Sequence, residues 1–306
     1  MLTIQELQNS EIPQCEADVL TLIFFVVDEC LKANPQLSKR KGPDSLMSDS
    51  EIIALSLSGK LFTNSELGWH THIKNHHLNL FPNLIERSAF HKRAKNLWHI
   101  TLIIFDYLKK ILQLPPLACI LDSMPIPVCR RARANYSNRW SECPCEKEKL
   151  FGYCASKKEH FFGFRLHLVI RPDGQVENFV LAPAAPHDVT VAPDAMEGTG
   201  SLLYFLDKGY IGLEKVINGH YQLVMPKRAN QKTQNPSYDN ALLKNIRSQI
   251  ETVNNLLSEL FMQNLRAKSY WGLITRVNQV ILLYFIIQLF NQTHQMEAMK
   301  IAHFRV

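Results

Sequence analysis

Two short apolar runs that each stop at an aspartate place the strongest constraint on the fold of this chain. The first run covers residues 117–121 and stops at Asp122, and the second covers residues 202–206 and stops at Asp207. A short apolar run that ends at a polar turn is typical of a buried strand. Because open α/β sheets bind ligands at the carboxyl ends of their strands, we expect both carboxylates at one sheet edge. Either aspartate alone could instead be a solvated turn residue.

The length and composition predict a folded protein of one large or two ordinary domains. The chain has 306 residues, of which 46% are hydrophobic and 20% are charged, as in soluble globular proteins. The formal net charge of +6 permits a polyanionic partner but does not require one.

The apolar stretches predict a protein that is neither exported nor inserted in a membrane. Residues 273–290 are strongly apolar, but four polar side chains interrupt them: Arg276, Asn278, Gln279 and Gln288. A membrane span of about 20 apolar residues would not carry that many polar groups, so we expect a buried helix. An earlier apolar stretch, residues 19–27, follows acidic residues rather than the basic start of a signal peptide. We therefore expect a cytoplasmic protein.

The cysteines are compatible with a reducing compartment. Their number, seven, is odd, and reduced thiols are the simplest interpretation for a cytoplasmic chain. Four fall within one stretch, namely Cys129, Cys143, Cys145 and Cys154. Four thiolates could hold zinc, but the spacing contains C-x-C rather than two C-x-x-C pairs, so free cysteines are favoured.

Residues 1–114 are predicted to be helical and to form a first domain. The expected helices cover residues 12–33, 48–62, 64–77, 88–97 and 97–114, with Asp49 or Ser50 as the cap of the second. Lys92 and Arg93 give one of the later helices a cationic face. Several short helices with basic faces are typical of a helix-turn-helix DNA-binding module. A helical cap on the next domain, with basic residues that stay solvated, is equally compatible with this region.

A second domain, residues 115–306, is predicted to follow the helix-breaking pair Pro115-Pro116. Beyond the strand that stops at Asp122, the segment 125–149 is polar and irregular, so we expect an insertion or a mobile loop. Arg130, Arg131 and Arg133 lie in it, where they could guide DNA or simply form a solvated surface.

The remaining pattern predicts an α/β fold with a mixed sheet. Two strands, 160–170 and 176–181, flank the turn Pro172-Asp173-Gly174. A short helix (188–196), the strand before Asp207, another short helix, a strand near 221–226 and two long helices follow. This β-β-β-α-β-α-β-α order is that of the RNase H fold, whose catalytic acids follow the first and fourth strands. Asp122 and Asp207 occupy those two places.

A third acid comes from the helix predicted over residues 238–264. Its core stripe follows helical spacing and consists of Ile246, Ile250, Val253, Leu257 and Leu260. Glu251 borders this stripe, and Arg247 lies one turn earlier on the same face. The pair could be an ordinary surface ion pair. It could equally complete an oxygen-ligand site for a divalent metal with the two aspartates.

Four short motifs resemble one known family. They are residues 121–129 (LDSMPIPVC), 152–158 (GYCASKK), 207–211 (DKGYI) and 250–253 (IETV), and residues 47–52 (MSDSEI) add to them. Together they resemble the DDE transposases of bacterial insertion sequences, most closely the 982 family. The acidic triad of that family falls on Asp122, Asp207 and Glu251. The related pattern Y-x2-R-x3-E-x6-K matches only at Arg247 and Glu251, because Lys244 and Ser258 replace its tyrosine and lysine.

The resemblance implies an enzyme of mobile elements that cleaves and rejoins DNA. Its catalytic and metal-binding residues would be Asp122, Asp207 and Glu251, with two Mg²⁺ (or Mn²⁺) ions and Asp122 bridging them. Its partners would be the terminal inverted repeats and target DNA, bound by a homodimer in the synaptic complex of a nucleoid-associated, cytoplasmic protein without a membrane partner.

The candidate DNA-binding residues lie at several places along the sequence. They are Lys92, Arg93, Arg130, Arg131, Arg133, Lys208, Lys227, Arg228 and Arg247. Cationic side chains near strand ends suit contacts with phosphates, although solvated lysines are common there. Arg247 could bind a phosphate or hold Glu251 in place. Two other functions stay open: an RNase H-like nuclease without strand transfer, and a catalytically silent DNA-binding regulator of the element.

Overall fold

The computed structural model separates into two compact units, each described here by itself. It describes residues 4–37, 45–111, 115–129, 131–134, 140, 142–154, 158–226 and 237–306. The helical unit comprises Met1–Gln113, Leu260–Ala267 and Trp271–Val306, and the sheet unit comprises Leu114–Glu259 and Lys268–Tyr270. The C-terminal helix thus groups with the N-terminal helices, whereas the sequence pattern had assigned it to residues 115–306.

The helices and strands follow the chain in this order. The helices are α1 (Ile4–Gln8), α2 (Glu16–Ala33), α3 (Asp49–Phe62), α4 (Glu66–His76), α5 (Arg87–Asn96), α6 (Trp98–Ile111), α7 (Arg131–Ala134), α8 (Asp188–Met196), α9 (Ser237–Glu259) and α10 (Tyr270–Thr293). The strands are β1 (Cys119–Cys129), β2 (Phe151–Cys154), β3 (Glu159–Ile170), β4 (Val176–Pro183), β5 (Leu203–Leu206) and β6 (Gln222–Val224). A helical N-terminal region before a mixed α/β region is therefore confirmed.

The helical unit starts its helices with local side-chain contacts. Ser48, rather than the predicted Asp49 or Ser50, caps α3, because its hydroxyl accepts a hydrogen bond from the Glu51 amide at 3.1 Å. The Glu51 carboxylate in turn accepts from the Ser48 amide, which completes a capping box. Asp49 is buried and bound by Arg93. The cap therefore lies one residue earlier than the sequence pattern indicated.

The apolar C-terminal helix is a core helix. Tyr270–Thr293 is long and apolar enough to cross a membrane, but 89% of its most apolar stretch is buried inside the protein. Two of its polar side chains have partners within the helical unit: the Asn278 amide donates to the Trp98 carbonyl, and the Thr275 hydroxyl donates to the Lys95 carbonyl. Burial on all sides explains why the sequence is apolar around the whole helix.

The sheet unit is built on a mixed sheet with β1 at its centre. The strand order is β4-β3-β1-β5-β6. The short strand β2 also pairs with β3. β1 runs antiparallel to β3 and parallel to β5, and β5 runs parallel to β6. A helix, α8, packs against β3 and β4. Its Ala192 and Ala195 lie in the same core as Cys119, Leu121 and Tyr204.

β1 is longer than predicted and continues beyond Asp122. Residues 123–129 stay paired with β3, so the predicted mobile loop is wrong for residues 125–129. The buried side chains of Met124 and Ile126 hold this part of the strand in the core. Opposite Pro127 lies Gly163, where a Cβ would stand only 2.3 Å from the Ile126 carbonyl oxygen. The close approach of the two backbones therefore requires glycine there.

The two prolines of β1 fit its unequal edges. Pro125 and Pro127 have no amide to donate, and positions two apart direct their nitrogens to the same edge of a strand. One edge of β1 pairs with β3 along its length, whereas β5 pairs only with residues 119–121. Prolines are accommodated on such an open edge.

Other differences from the predicted order are local. The short helix expected after Asp207 is a 3-10 turn at Leu213–Lys215, and β2 is a strand that the sequence pattern did not indicate. The predicted helix 188–196 is confirmed by α8, and the predicted hairpin is confirmed by the pairing of β3 with β4. After β1, the described residues include the one-turn helix α7 in place of the expected irregular loop.

Candidate active site

The register of two parallel strands brings Asp122 and Asp207 side by side. Leu121 of β1 pairs with Leu206 of β5, and this is the last pair between the two strands. Asp122 and Asp207 are the next residues of the neighbouring strands. We call the place where Asp122 and Asp207 lie side by side the acidic edge. It lies where β5 ends, whereas β1 continues beyond it.

The Asp122 carboxyl is held in an environment that disfavours its charge. Its pKa is raised from 3.8 to about 6, chiefly by burial and also by the nearby charges of Asp207 and Asp188. Hydrogen bonds from the Ser123 backbone and the Asn254 amide oppose this rise. A carboxylate among like charges is well suited to bind a cation, because the cation removes both the repulsion and the cost of the buried charge.

The helix α9 presents Glu251 and Arg247 to the same edge. The predicted core stripe is confirmed, since all five of its residues are buried: Ile246, Ile250, Val253, Leu257 and Leu260. The Arg247 Nε donates to Glu251 at 3.0 Å, and its Nη1 lies 3.6 Å from an Asp207 oxygen. The hydrogen bond to Glu251, followed by the charge of Asp207, raises the Arg247 pKa. The two carboxylates thus contact one guanidinium.

Asn254 is a site residue that the sequence reasoning missed. Its side-chain amide donates a hydrogen bond to Asp122 Oδ2 at 3.3 Å. This contact links α9 directly to the Asp122 carboxylate. Its position, three residues after Glu251, places it on the same helix face. That spacing was a signal that could have identified it.

A third aspartate, Asp188, lies close to the acidic edge and contacts residues of β1 and β3. It is the first residue of α8 and accepts a hydrogen bond from the Ser123 hydroxyl at 3.0 Å. Arg165 of β3 lies 3.8 Å from it. The Arg165 guanidinium also donates to the carbonyls of Tyr153 and Ala184, at 2.6 and 3.3 Å. Arg165 is therefore fixed by backbone groups and partly balances the charge of Asp188.

Two buried polar side chains near the acids have no hydrogen-bond partner among the described residues. They are the Tyr210 hydroxyl and both ring nitrogens of His167. Burial, followed by the charges of Asp188 and Asp122, raises the Tyr210 pKa well above its ordinary value. Burial also lowers the His167 pKa to about 4, although Asp188 acts in the opposite direction. An unpartnered hydroxyl beside several carboxylates fits a site that takes up a further polar group or ion.

The acidic side chains are neighbours, but they do not form a closed set of ligands. The described residues contain a group of potential metal ligands whose atoms all lie within 4.8 Å of one another, but this group is in the helical unit and does not include the acids of the sheet. Like charges repel, and the Arg247 guanidinium contacts Asp207 and Glu251. The donor set of carboxylate oxygens nevertheless matches what Mg²⁺ and Mn²⁺ prefer.

The candidate DNA-binding residues are found in different environments. Lys92, Arg131, Arg133 and Lys208 are exposed, and Lys208 directly follows Asp207. Arg93 differs, because its guanidinium donates to Ser45, to the Met47 carbonyl and to Asp49 at 2.6–2.8 Å. Its cationic group therefore holds the start of α3. Arg130, Lys227 and Arg228 lie outside the described residues.

The cysteines of the sheet unit do not form a four-thiolate site. Cys143 and Cys145 have sulfur atoms 2.9 Å apart, and burial, followed by the hydrogen bond to Cys143, raises the Cys145 pKa to about 12. Cys129 and Cys154 do not join them in any cluster of three or more potential ligands within the described ranges. The structure describes all seven cysteines, and none of them forms a disulfide bond.

Comparison with known protein families identifies the region of the chain that contains the acids. Residues 117–269, half of the 306-residue chain, match the family model described as a transposase DDE domain. This range begins just before β1 and ends just before α10, so it includes Asp122, Asp207 and α9. No curated protein and no solved structure was found to match the chain.

Proposed function

The chain belongs to the family of transposase DDE domains, and from this premise we propose that it is the transposase of a bacterial insertion sequence of the 982 family. In this proposal the protein binds the ends of its element, cleaves the DNA in a metal-dependent step and joins the new ends to target DNA. The subfamily is proposed from the motifs at 47–52, 121–129, 152–158, 207–211 and 250–253.

One observation carries this proposal: the strand register that makes Asp122 and Asp207 adjacent, with α9 alongside. Carboxylates on two central neighbouring strands and on a following helix are what a DDE catalytic centre needs. An RNase H-like fold is the architecture we propose, and it is supported by the order β4-β3-β1-β5-β6, with three antiparallel strands followed by two parallel ones.

We assign the metal ligands to Asp122, Asp207 and Glu251. Members of this family use divalent metal ions, and we propose two Mg²⁺ (or Mn²⁺) ions here. The raised pKa of Asp122 and the unpartnered hydroxyl of Tyr210 support this assignment. When bound, such ions activate the attacking oxygen and stabilise the leaving oxygen at phosphorus.

The other residues of the edge orient these carboxylates. Asn254 holds one oxygen of Asp122 through its side-chain amide. Arg247 bridges Asp207 and Glu251, and we propose that a phosphate group of the DNA takes over this guanidinium in the complex. Arginine can bind phosphate bidentately, which makes such an exchange favourable.

Residues 1–114 are proposed to carry sequence-specific recognition of the terminal inverted repeats. The exposed Lys92 on α5 supports a phosphate contact there. In the catalytic region, 115–306, we propose that Lys208, Arg131 and Arg133 contact DNA near the acids, together with Arg130, Lys227 and Arg228. A homodimer in the synaptic complex and a nucleoid-associated, cytoplasmic location complete the proposal.

A strand-transfer assay tests this function and separates it from the alternatives. The full-length protein is incubated with labelled terminal DNA, a supercoiled plasmid and Mg²⁺, and joined products are separated on a gel. We expect the label to enter the plasmid. Cleaved ends that never join would favour a nuclease, and bound but intact ends would favour a regulator without catalysis; either result would refute the proposed transposition.

A further inference from the structure

We propose that Glu16, His72 and His77 bind a zinc-type divalent transition-metal ion in the helical unit. Glu16 is the first residue of α2, His72 lies in α4, and His77 is the residue that caps the C-terminal end of α4. None of the three takes part in the acidic edge, so the inference does not rest on the proposed transposition chemistry.

The geometry of the three side chains is close to that of a metal site. The two Glu16 oxygens lie 2.9 and 3.0 Å from His72 Nε2, and Oε2 lies 3.4 Å from His77 Nε2. One ligand atom from each residue lies within 4.8 Å of the other two. Zinc binds imidazole nitrogen and carboxylate oxygen at about 2.0–2.2 Å, so tetrahedral neighbours stand about 3.3 Å apart. Small side-chain rotations would bring the three atoms onto one ion.

The donor set selects the class of ion. Two imidazoles and one carboxylate are a known ligand set of zinc, which then keeps a fourth position for water. Imidazole suits zinc, copper and nickel, whereas magnesium prefers oxygen ligands. The site should therefore discriminate against the Mg²⁺ that we assign to the acidic edge.

Ordinary helix-end effects do not explain why the three groups meet. An acid near the start of a helix and a basic group near its end are each favourable with the helix dipole. These effects act on each residue separately, and they do not bring two imidazoles onto one carboxylate, which lies 56 residues before His72 in the sequence. Among the described residues, no lysine or arginine pairs with Glu16; its ionic partners are the two histidines.

The group is accessible to an ion from solvent. The side chains of His72, Glu16 and His77 are 39%, 22% and 14% exposed. A bound ion would cross-link the start of α2 to the end of α4 and so stabilise the folded helical unit.

Metal binding to the full-length, untagged protein tests this inference. The metal-free protein is titrated with Zn²⁺ in a calorimeter, and Co²⁺ is added in parallel to record its visible absorption bands. We expect one Zn²⁺ per chain that is retained in excess Mg²⁺, and Co²⁺ bands of a four-coordinate site without a thiolate charge-transfer band.

Variants locate the bound ion. His77→Gln and Glu16→Gln should each weaken the affinity for Zn²⁺ at least tenfold, whereas the matched control His99→Gln, an exposed histidine of α6, should bind like the wild type. Circular dichroism without metal checks that each variant is folded, and Glu16→Gln serves if a histidine variant does not fold. Unchanged Zn²⁺ affinity in both site variants, loss of the ion in Cys143→Ser, or no Zn²⁺ bound by the wild type would overturn the proposal.

Discussion

The acidic edge of the sheet unit and the Glu16–His72–His77 group of the helical unit bring their ligands together in opposite ways. Asp122 and Asp207 become neighbours as soon as β1 and β5 pair in register. Glu16 of α2 and His72 of α4 meet across 56 residues of sequence. The first site offers oxygens alone, whereas the second offers two nitrogens and a carboxylate. The comparison teaches that side chains gathered by strand register and side chains gathered from two helices can be tested separately, each with the class of ion that its donor atoms favour.

The largest expected effect comes from the removal of the Asp122 carboxylate. Asp122→Asn should lower the rate of end cleavage by about 10³-fold or more, which corresponds to about 4 kcal/mol of lost transition-state stabilisation. The rate is measured with labelled terminal DNA in Mg²⁺. Zn²⁺ binding by this variant should equal that of the wild type, since the histidine group is intact.

The matched control for this prediction is Asp194→Asn, which changes an exposed aspartate of α8. It should cleave at the rate of the wild type. Near-normal cleavage by Asp122→Asn would remove Asp122 from the catalytic set, and loss of Zn²⁺ binding in the same variant would show that the two sites are not independent.

A second prediction concerns stability in the absence of metal. The Asp122 pKa is about 6 in the folded protein and 3.8 ordinarily, so folding favours the protonated acid. This contribution is fully present below about pH 4 and is lost as the pH rises through 6. At pH 8, Asp122→Asn should therefore be more stable than the wild type, by at most about 3 kcal/mol.

Chemical denaturation at pH 4 and pH 8 measures this effect. The advantage of the variant should shrink at pH 4, where the wild-type acid is protonated, and it should shrink at pH 8 when Mg²⁺ is added. A variant that is less stable than the wild type at pH 8 would show that the carboxylate is not held at an energetic cost.

The smallest expected effect comes from the amide that contacts Asp122. Asn254→Ala removes a hydrogen bond that lowers the pKa of this carboxyl. The acidic limb of the pH–rate profile for cleavage should move upward by about half to one pH unit, since a hydrogen bond contributes about 1 kcal/mol. The rate at pH 8 should change little.

Asn255→Ala is the matched control, because Asn255 is the next residue of α9 and is exposed. It should leave the profile in place. If Asn254→Ala also leaves the acidic limb unmoved, Asn254 does not tune Asp122, and the edge depends on the strand register alone.

The sequence pattern predicted those parts of the molecule that follow from local periodicity. The two apolar runs, the β3–β4 hairpin, α8 and the buried face of α9 follow from strand alternation or helical spacing. The ion pair between Arg247 and Glu251 follows from their four-residue separation. Residues that share a turn or a strand carry their arrangement in the sequence itself.

The parts that could not be predicted depend on contacts distant in sequence. The polar and irregular sequence after Asp122 indicated a loop, and only the pairing with β3 shows that its first residues form a strand with one open edge. Arg93 belonged to a basic helix by spacing, but its role at the start of α3 depends on Asp49, 44 residues away. The contact of Asn254 with Asp122 spans 132 residues. No local pattern reports such partners.

The prolines of β1 have a consequence for how the protein can associate with other copies of itself. An exposed strand edge is a template on which another chain can add a strand, and such pairing leads to swapped dimers or aggregates. Beyond Leu121 the edge of β1 has no partner strand in the described sheet, but Pro125 and Pro127 leave it without two of the donors that an added strand would need. The strand edge beside the acids is thus unpaired but does not readily accept a strand from another chain. This favours its use by a ligand rather than by a second sheet.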